Sequence, residues 1–315
     1  MNKEDRIYVA GHRGMVGSAC IRLLQKSGYE NLITRTSQEL DLRDQTAVQS
    51  FIQNERPQVI IDAAARVGGI LANDTYPYEF LMDNMLIQNN LINAAHQNDI
   101  NKFIFLGSSC IYPKFAEQPI KEEYLLTSSL EPTNEWYAIA KITGVKAIQA
   151  LRRQYGRDYV SLMPTNLYGP FDNFDLKTSH VLPAIIRKFH EAKSNDTATV
   201  TLWGTGTPMR EFLHVDDLAS AVLYAMENNL PEYLYNVGSG IDHTIKELAH
   251  MIKEEVGYGG EIIWDTTKPD GTPRKLMDSS KLRQLNWIPS IELDEGIKTT
   301  YEWFIENMSL SNIRM

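Results

Sequence analysis

Tyr137 and Lys141 stand four residues apart in the run Tyr137-Ala138-Ile139-Ala140-Lys141. On a helix that spacing puts both on one face, one turn apart. A phenol near its ordinary pKa of about 10 is a reluctant proton donor and acceptor at neutral pH, and an ammonium beside it stabilises the phenolate. Such pairs also occur on ordinary solvated helices, so their company decides what they mean. The apolar run 102–106 ends in Gly107-Ser108-Ser109-Cys110, two hydroxyls and a thiol just past a strand. Near the start, the apolar run 7–10 is followed by Gly11-His12-Arg13-Gly14-Met15-Val16-Gly17. A glycine turn between strand and helix aims backbone N–H groups at a phosphate. Together these parts describe oxidation or reduction at an oxygen-bearing carbon, with a dinucleotide carrying the electrons.

The elements that must hold these residues are legible as alternation. Apolar runs predict strands over 7–10, 32–34, 59–62, 102–106 and 159–163, with helices over 46–54, 85–98 and 137–155 between or after them. This is a doubly wound α/β pattern, a parallel Rossmann sheet whose carboxyl edge would collect the glycine turn, the serines and the cysteine. After Tyr168-Gly169-Pro170 the pattern turns mixed, with helices over 180–192, 245–256 and 293–307 and short strands between. The expected division is a nucleotide-binding domain over 1–170, to which 215–240 returns, and a smaller mixed α/β substrate domain over 171–315. The long helices 85–98 and 137–155 suit a homodimer interface, although core packing would give them the same pattern.

The glycine spacing, G-x-x-G-x-x-G, differs by one residue from the G-x-G-x-x-G fingerprint. The second strand runs into Thr34-Arg35-Thr36-Ser37 instead of the acidic residue that binds a ribose 2′-hydroxyl in NAD sites. Arg35, Arg13 and the hydroxyl of Ser37 suit a 2′-phosphate, hence NADP. Glu39 and Asp41 would oppose this if the strand ended later.

Bulk properties narrow the classes. At 315 residues the chain can bury a substantial core. A net charge of −9 argues against nucleic acid or an anionic membrane as partner, so any anion site must be a local cationic pocket. Two cysteines ninety residues apart, Cys20 and Cys110, form neither a disulfide framework nor a metal motif. Cys20 reads as an inert core residue. No apolar run approaches the roughly twenty residues of a membrane span, and the start lacks a signal peptide, so the expectation is a cytoplasmic protein without a metal.

At this point the chain resembles the extended short-chain dehydrogenase/reductases and, among them, the GDP-L-fucose synthase family. The resemblance runs through Ala63-Ala64-Ala65-Arg66-Val67-Gly68-Gly69-Ile70, Gly107-Ser108-Ser109-Cys110-Ile111-Tyr112-Pro113-Lys114 and Pro164-Thr165-Asn166-Leu167-Tyr168-Gly169-Pro170. It continues through Met209-Arg210-Glu211-Phe212-Leu213-His214-Val215-Asp216-Asp217 and Lys268-Pro269-Asp270-Gly271-Thr272-Pro273-Arg274-Lys275. One departure is Trp136, where the family pattern leads one to expect proline; an indole there would alter packing at the sugar pocket.

The resemblance implies that GDP-4-keto-6-deoxy-D-mannose is epimerised at C3 and C5 and then reduced at C4 by NADPH. Carried over by motif, Cys110 is the base and His180 the acid of the epimerisation, Tyr137 protonates the alkoxide, Lys141 lowers its pKa and Ser108 orients the ketone. The cofactor would lie against Gly11, His12, Arg13, Gly14, Met15, Val16, Gly17, Arg35, Ser37, Leu106, Gly107, Tyr137, Lys141, Pro164, Asn166, Leu167 and His180. Ser108, Asn166, Lys188, Trp203, Arg210, Asp270 and Arg274 would hold the GDP-sugar. Two alternatives stay open: another 4-keto sugar nucleotide, as in GDP-L-colitose synthesis, and a dinucleotide-binding regulator without turnover.

Overall fold

The computed structural model describes residues 1–268 and 270–309, so Pro269 of the 268–275 run lies outside it. In chain order the first half holds β1 (Ile7–Ala10), α1 (Met15–Lys26), β2 (Leu32–Ile33), α2 (Gln45–Glu55), β3 (Val59–Asp62), α3 (Ile70–Thr75), α4 (Pro77–Gln97), β4 (Lys102–Leu106), α5 (Glu135–Tyr155) and β5 (Asp158–Pro164). Then follow β6 (Asn166–Tyr168), α6 (Val181–Ser194), β7 (Thr199–Trp203), β8 (Met209–His214), α7 (Val215–Glu227), β9 (Leu234–Val237), β10 (Asp242–Thr244), α8 (Ile245–Val256), β11 (Glu261–Asp265), β12 (Arg274–Lys275), α9 (Ser280–Gln284) and α10 (Leu293–Asn307).

The main sheet is wholly parallel, in the order β2-β1-β3-β4-β5-β9. Its central strands are near-continuous apolar runs, because helices cover both faces. One face packs Val9, Ile61, Ile104 and Leu162 under α1 and α7. The other packs Tyr8, Ile60, Phe103 and Phe105 under α2, α4 and α5. The strand order turns back at β1, so a crevice opens between the carboxyl ends of β1 and β3, the place where open α/β sheets bind ligands.

Helix ends follow local chemistry. Asp44 caps α2 by accepting from Ala47 N–H at 3.0 Å. Thr244 and Glu247 form a capping box on α8, which stops at Gly257 in the left-handed region (φ +70°). The helix expected over 85–98 begins instead at Pro77. Proline suits the first helical position, but the added turns bury the polar Asn84, which blurs the apolar pattern. Asn84 earns its place by bonding both the N–H and the carbonyl of Arg66.

Two smaller sheets make the carboxyl-terminal lobe: β10-β8-β12 with β6 beside β8, and β7 with β11. Tyr168, Phe174, Phe189 and Phe304 fill the core between them and α6, α8 and α10. The chain visits this lobe and comes back: β9 pairs with β5, and α7 packs on α1. Lys102 on β4 fastens the return. Its ammonium is buried, donates to the carbonyls of Ala225, Met226 and Asn228 at the end of α7, and pairs with Asp158 at 2.9 Å.

Candidate active site

The glycine turn is built by close approach. Gly11 adopts φ +76°, and a Cβ there would come within 2.6 Å of the Ala63 carbonyl oxygen on the neighbouring strand end. Gly17 faces the Gly11 carbonyl so closely that no side chain fits. Gly14 is the N-cap of α1 and, having no side chain, leaves the first turn uncapped. Gly14, Met15 and Val16 therefore present an open helix N-terminus to the crevice.

That crevice is a cleft of about 550 Å³. From the expected cofactor set it is lined by Arg13, Gly14, Met15, Val16, Leu106, Gly107, Tyr137, Lys141, Pro164, Asn166, Leu167 and His180, and Ser108 joins them. Asn166 is oriented by donating to the Glu211 carbonyl at 2.8 Å. Gly11, His12 and Gly17 lie in the turn behind this lining. His12 keeps a buried ring nitrogen, Nδ1, without a hydrogen-bond partner; burial and Arg13 hold its pKa below the ordinary value.

Lys141 is buried; its ammonium donates to the Leu106 carbonyl at 2.9 Å and lies 4.7 Å above the Phe105 ring. The Tyr137 ring centroid is 5.9 Å from that ammonium, and its edge meets Phe80. Burial pushes the Tyr137 hydroxyl well above its ordinary range, with Cys110 and Asp62 acting the same way. Burial likewise pulls Lys141 down, opposed by Asp62. Lowering of the tyrosine pKa by Lys141, expected from spacing, is not what this arrangement gives, because the ammonium points at the Leu106 carbonyl.

Ser108 is extended, and its Oγ accepts from Cys110 N–H at 3.3 Å. Cys110 sits one layer behind the cleft, 6% exposed. Burial raises its thiol; Lys275, Ser108 and Lys141 pull the other way. The thiolate expected from a neighbouring cation is thus opposed by desolvation. Cys20 is buried in α1 with its thiol pushed up to about 12 by burial, which suits an inert core residue. His180 is exposed at the N-cap of α6 on the cleft wall.

The remaining predicted residues lie elsewhere. Arg35 pairs with Glu55 at 2.6 Å and stacks on Phe51; Ser37 is exposed beyond it. The competing acids are occupied locally, Glu39 by Thr36 N–H and Asp41 by Arg43. Asp270, Arg210 and Trp203 gather by the end of β7. Asp270 accepts from Thr205 N–H and Oγ1, and Arg210 donates to the Thr272 carbonyl. Trp203 is 68% exposed, so it is no core aromatic. Lys188 reaches the Thr201 carbonyl on the same strand. Arg274 is engaged with Asp242 at 2.5 Å. Trp136 points outward, 43% exposed, rather than into the cleft.

Sequence reasoning missed other parts of the wall, among them Thr165, Phe171, Asn173, Trp303 and Asn307. Trp303 and Asn307 come from α10, at the far end of the chain, and no local motif marks them. Lys275 beside Cys110 could have been found, since it ends the 268–275 run.

Residues 7–238 match the model of the NAD dependent epimerase/dehydratase family. Across 313 residues the chain is 55% identical to a GDP-L-fucose synthase of Escherichia coli (strain K12), covering 96% of this chain and 98% of that one. The chain belongs to this family, in its GDP-L-fucose synthase branch. A GDP-L-colitose synthase of Yersinia pseudotuberculosis stands further off, at 39% identity over 95% of this chain and 98% of that one. The crystal structure of a GDP-L-fucose synthetase from Naegleria fowleri bound to NADP has the same fold, with a TM-score of 0.91, 29% identity and coverage of 100% and 98%. For a GDP-L-fucose synthase branch member, the uncapped α1 terminus fits a phosphate-bearing dinucleotide: its N–H groups are donors awaiting a partner at the crevice. Among the described residues no helix is long and apolar enough to cross a membrane, and no cluster of His, Cys, Asp or Glu could hold a metal.

Proposed function

We propose that the protein converts GDP-4-keto-6-deoxy-D-mannose to GDP-L-fucose, inverting C3 and C5 and reducing C4 at the expense of NADPH. One observation carries this reading: the cleft that receives the glycine turn also holds Ser108, Tyr137, Lys141 and His180, with Cys110 directly behind, in a chain 55% identical over its length to a GDP-L-fucose synthase.

The glycine turn, Leu106, Gly107, Pro164, Asn166 and Leu167 would hold NADPH, which would supply the hydride when bound. Arg35 answers its 2′-phosphate by exchanging Glu55 for it, a charge-for-charge swap at a half-exposed position. The protein's own groups do the proton work. Protons at C3 and C5 flank the C4 ketone, and removing one leaves negative charge on the ketone oxygen, where Ser108 donates a hydrogen bond. Cys110 takes the proton and His180, from α6 on the other wall, returns one to the opposite face. Tyr137 protonates the C4 alkoxide after reduction, and Lys141 holds the nicotinamide ribose. Lys188, Trp203, Arg210 and Asp270 form the nucleotide-diphosphate end of the substrate site. We also propose a homodimer formed through the outer faces of α4 and α5, where Tyr78 is 70% and Trp136 43% exposed. A monomer mass in sedimentation at micromolar concentration would remove that part.

The test is purified protein with the keto sugar and NADPH, following absorbance loss and identifying the sugar formed. GDP-L-fucose with stoichiometric NADPH oxidation upholds the reading. Oxidation only with the 3,6-dideoxy keto sugar would move the protein to colitose chemistry, and NADPH binding without oxidation of either would overturn it.

A further inference from the structure

Asp62 ends β3 and is fully buried. One carboxyl oxygen accepts a 3.3 Å bond from Ala64 N–H; the other has no hydrogen-bond partner. A carboxyl group in that state is costly unless an opposite charge faces it. The strand register shows which charge that is. Asp62 is paired with Ala10 of β1 on one side and with Phe105 of β4 on the other. Paired residues of neighbouring strands present their side chains on the same face, and here that face is the one roofed by α4 and α5. The Lys141 ammonium rests over the Phe105 ring. Gly144, one turn further along α5, lets the helix sit directly on that ring, since a side chain there would strike it. Asp62 and Lys141 therefore stand on one face of the sheet beside the same aromatic ring, both of them buried.

We propose that Asp62 is a positioning residue for the reduction, its carboxylate holding the Lys141 ammonium charged and seated at the Tyr137 side of the cleft. This rests on the roles given to Tyr137 and Lys141 above.

The surrounding groups leave Lys141 as the partner. The charged or titratable groups that interact with the carboxyl are Lys141 and Tyr137 of α5 and Tyr8 of β1. Arg35, past β2, acts on Tyr8, and Cys110, past β4, acts on Lys141. Burial lifts Asp62 to about 6, and Lys141 is the cation that opposes the lift. Burial lowers Lys141, and Asp62 is the foremost group opposing that.

The experiment compares wild type with Asp62→Asn across pH 5–10, reading C4 reduction, solvent exchange at C3 and C5, and NADPH binding by fluorescence. Without the carboxylate the ammonium gives up its proton earlier. The alkaline limb of reduction should move to lower pH by at least about half a unit, and the alkaline weakening of NADPH binding should move with it. Exchange should change far less, because Lys275 and Ser108 act on Cys110 ahead of Lys141. Asp62→Leu, which leaves no polar atom to satisfy, should give the same displacement and serves if the asparagine variant folds badly. Superimposable binding and reduction profiles in a folded variant would overturn the proposal. If wild type turns over no keto sugar, the reaction assignment fails, and the NADPH titration alone decides the role of Asp62.

Discussion

Tyr137 and Cys110 are both disfavoured as anions by burial, yet the chemistry asks opposite things of them. Tyr137 gives a proton, so a raised pKa suits it. Cys110 must lose one, and its burial makes thiolate scarce at neutral pH. Exchange of the C3 and C5 protons should therefore accelerate as pH rises above 7, tracking the ionised thiol. Cys110→Ser should abolish inversion and exchange while NADPH binding survives, and inversion at wild-type rate would remove Cys110 from the mechanism. Tyr137→Phe should cut reduction by about 100- to 10,000-fold with exchange retained; mass spectrometry of product formed in deuterium oxide reads both. Loss of exchange in this variant would show that the phenol also serves the enolate steps. Residue types and spacing were enough to bring Tyr137, Lys141 and Ser108 together as candidates, and the three line one cleft. The strength and sign of their coupling were not, because these depend on where an ammonium points and on which groups are shut away from water.

Elements were legible where one face or one turn sets them. The strands 7–10, 59–62 and 102–106 were read to the residue, as continuous apolar runs bounded by polar breaks. The start of α4 was not, since its first turns bury an asparagine and the pattern there mimics a loop. The turn between β1 and α1 is built by close backbone approach. Gly17→Ala should wedge α1 off the Gly11 carbonyl. We expect a loss of about 1–3 kcal/mol of stability and weakened NADPH binding, because the N–H groups of the first helical turn move with the helix. Unchanged binding in a folded Gly17→Ala protein would mean that the helix terminus does not hold the phosphates. α10 illustrates the opposite limit: the sequence shows an amphipathic helix, but nothing in it says that Trp303 and Asn307 close a cleft whose floor lies at the other end of the chain.

For the whole molecule, Asp62 ties stability to pH. Its carboxyl has an ordinary value of 3.8 and is raised to about 6 in the fold. Below 3.8 folded and unfolded chains both hold the proton. Between the two values the unfolded chain has released it and the folded chain retains it, so this group's contribution is lost as pH rises and is gone above about 6. Asp62→Asn should remove that loss, leaving the variant on the order of 1–3 kcal/mol better placed relative to wild type at pH 7 than at pH 4. Thermal melts at the two pH values check it, and equal differences would show that Asp62 does not titrate in this window. The α/β class could be read from alternation; the placement of Lys188, Trp203, Arg210 and Asp270 on the β7 side, away from the cleft lining, could not, because it depends on how two lobes meet.

That return also governs how the nascent chain can fold. β5 has no outer neighbour until residues 234–237 emerge, and the Lys102 ammonium lacks its three carbonyl partners until residue 228 does. A ribosome that has made the first 170 residues has therefore delivered a nucleotide-binding sheet with a bare edge and a buried cation without its cage. Until the carboxyl-terminal lobe is made, the β5 edge stands open as a template for foreign strands.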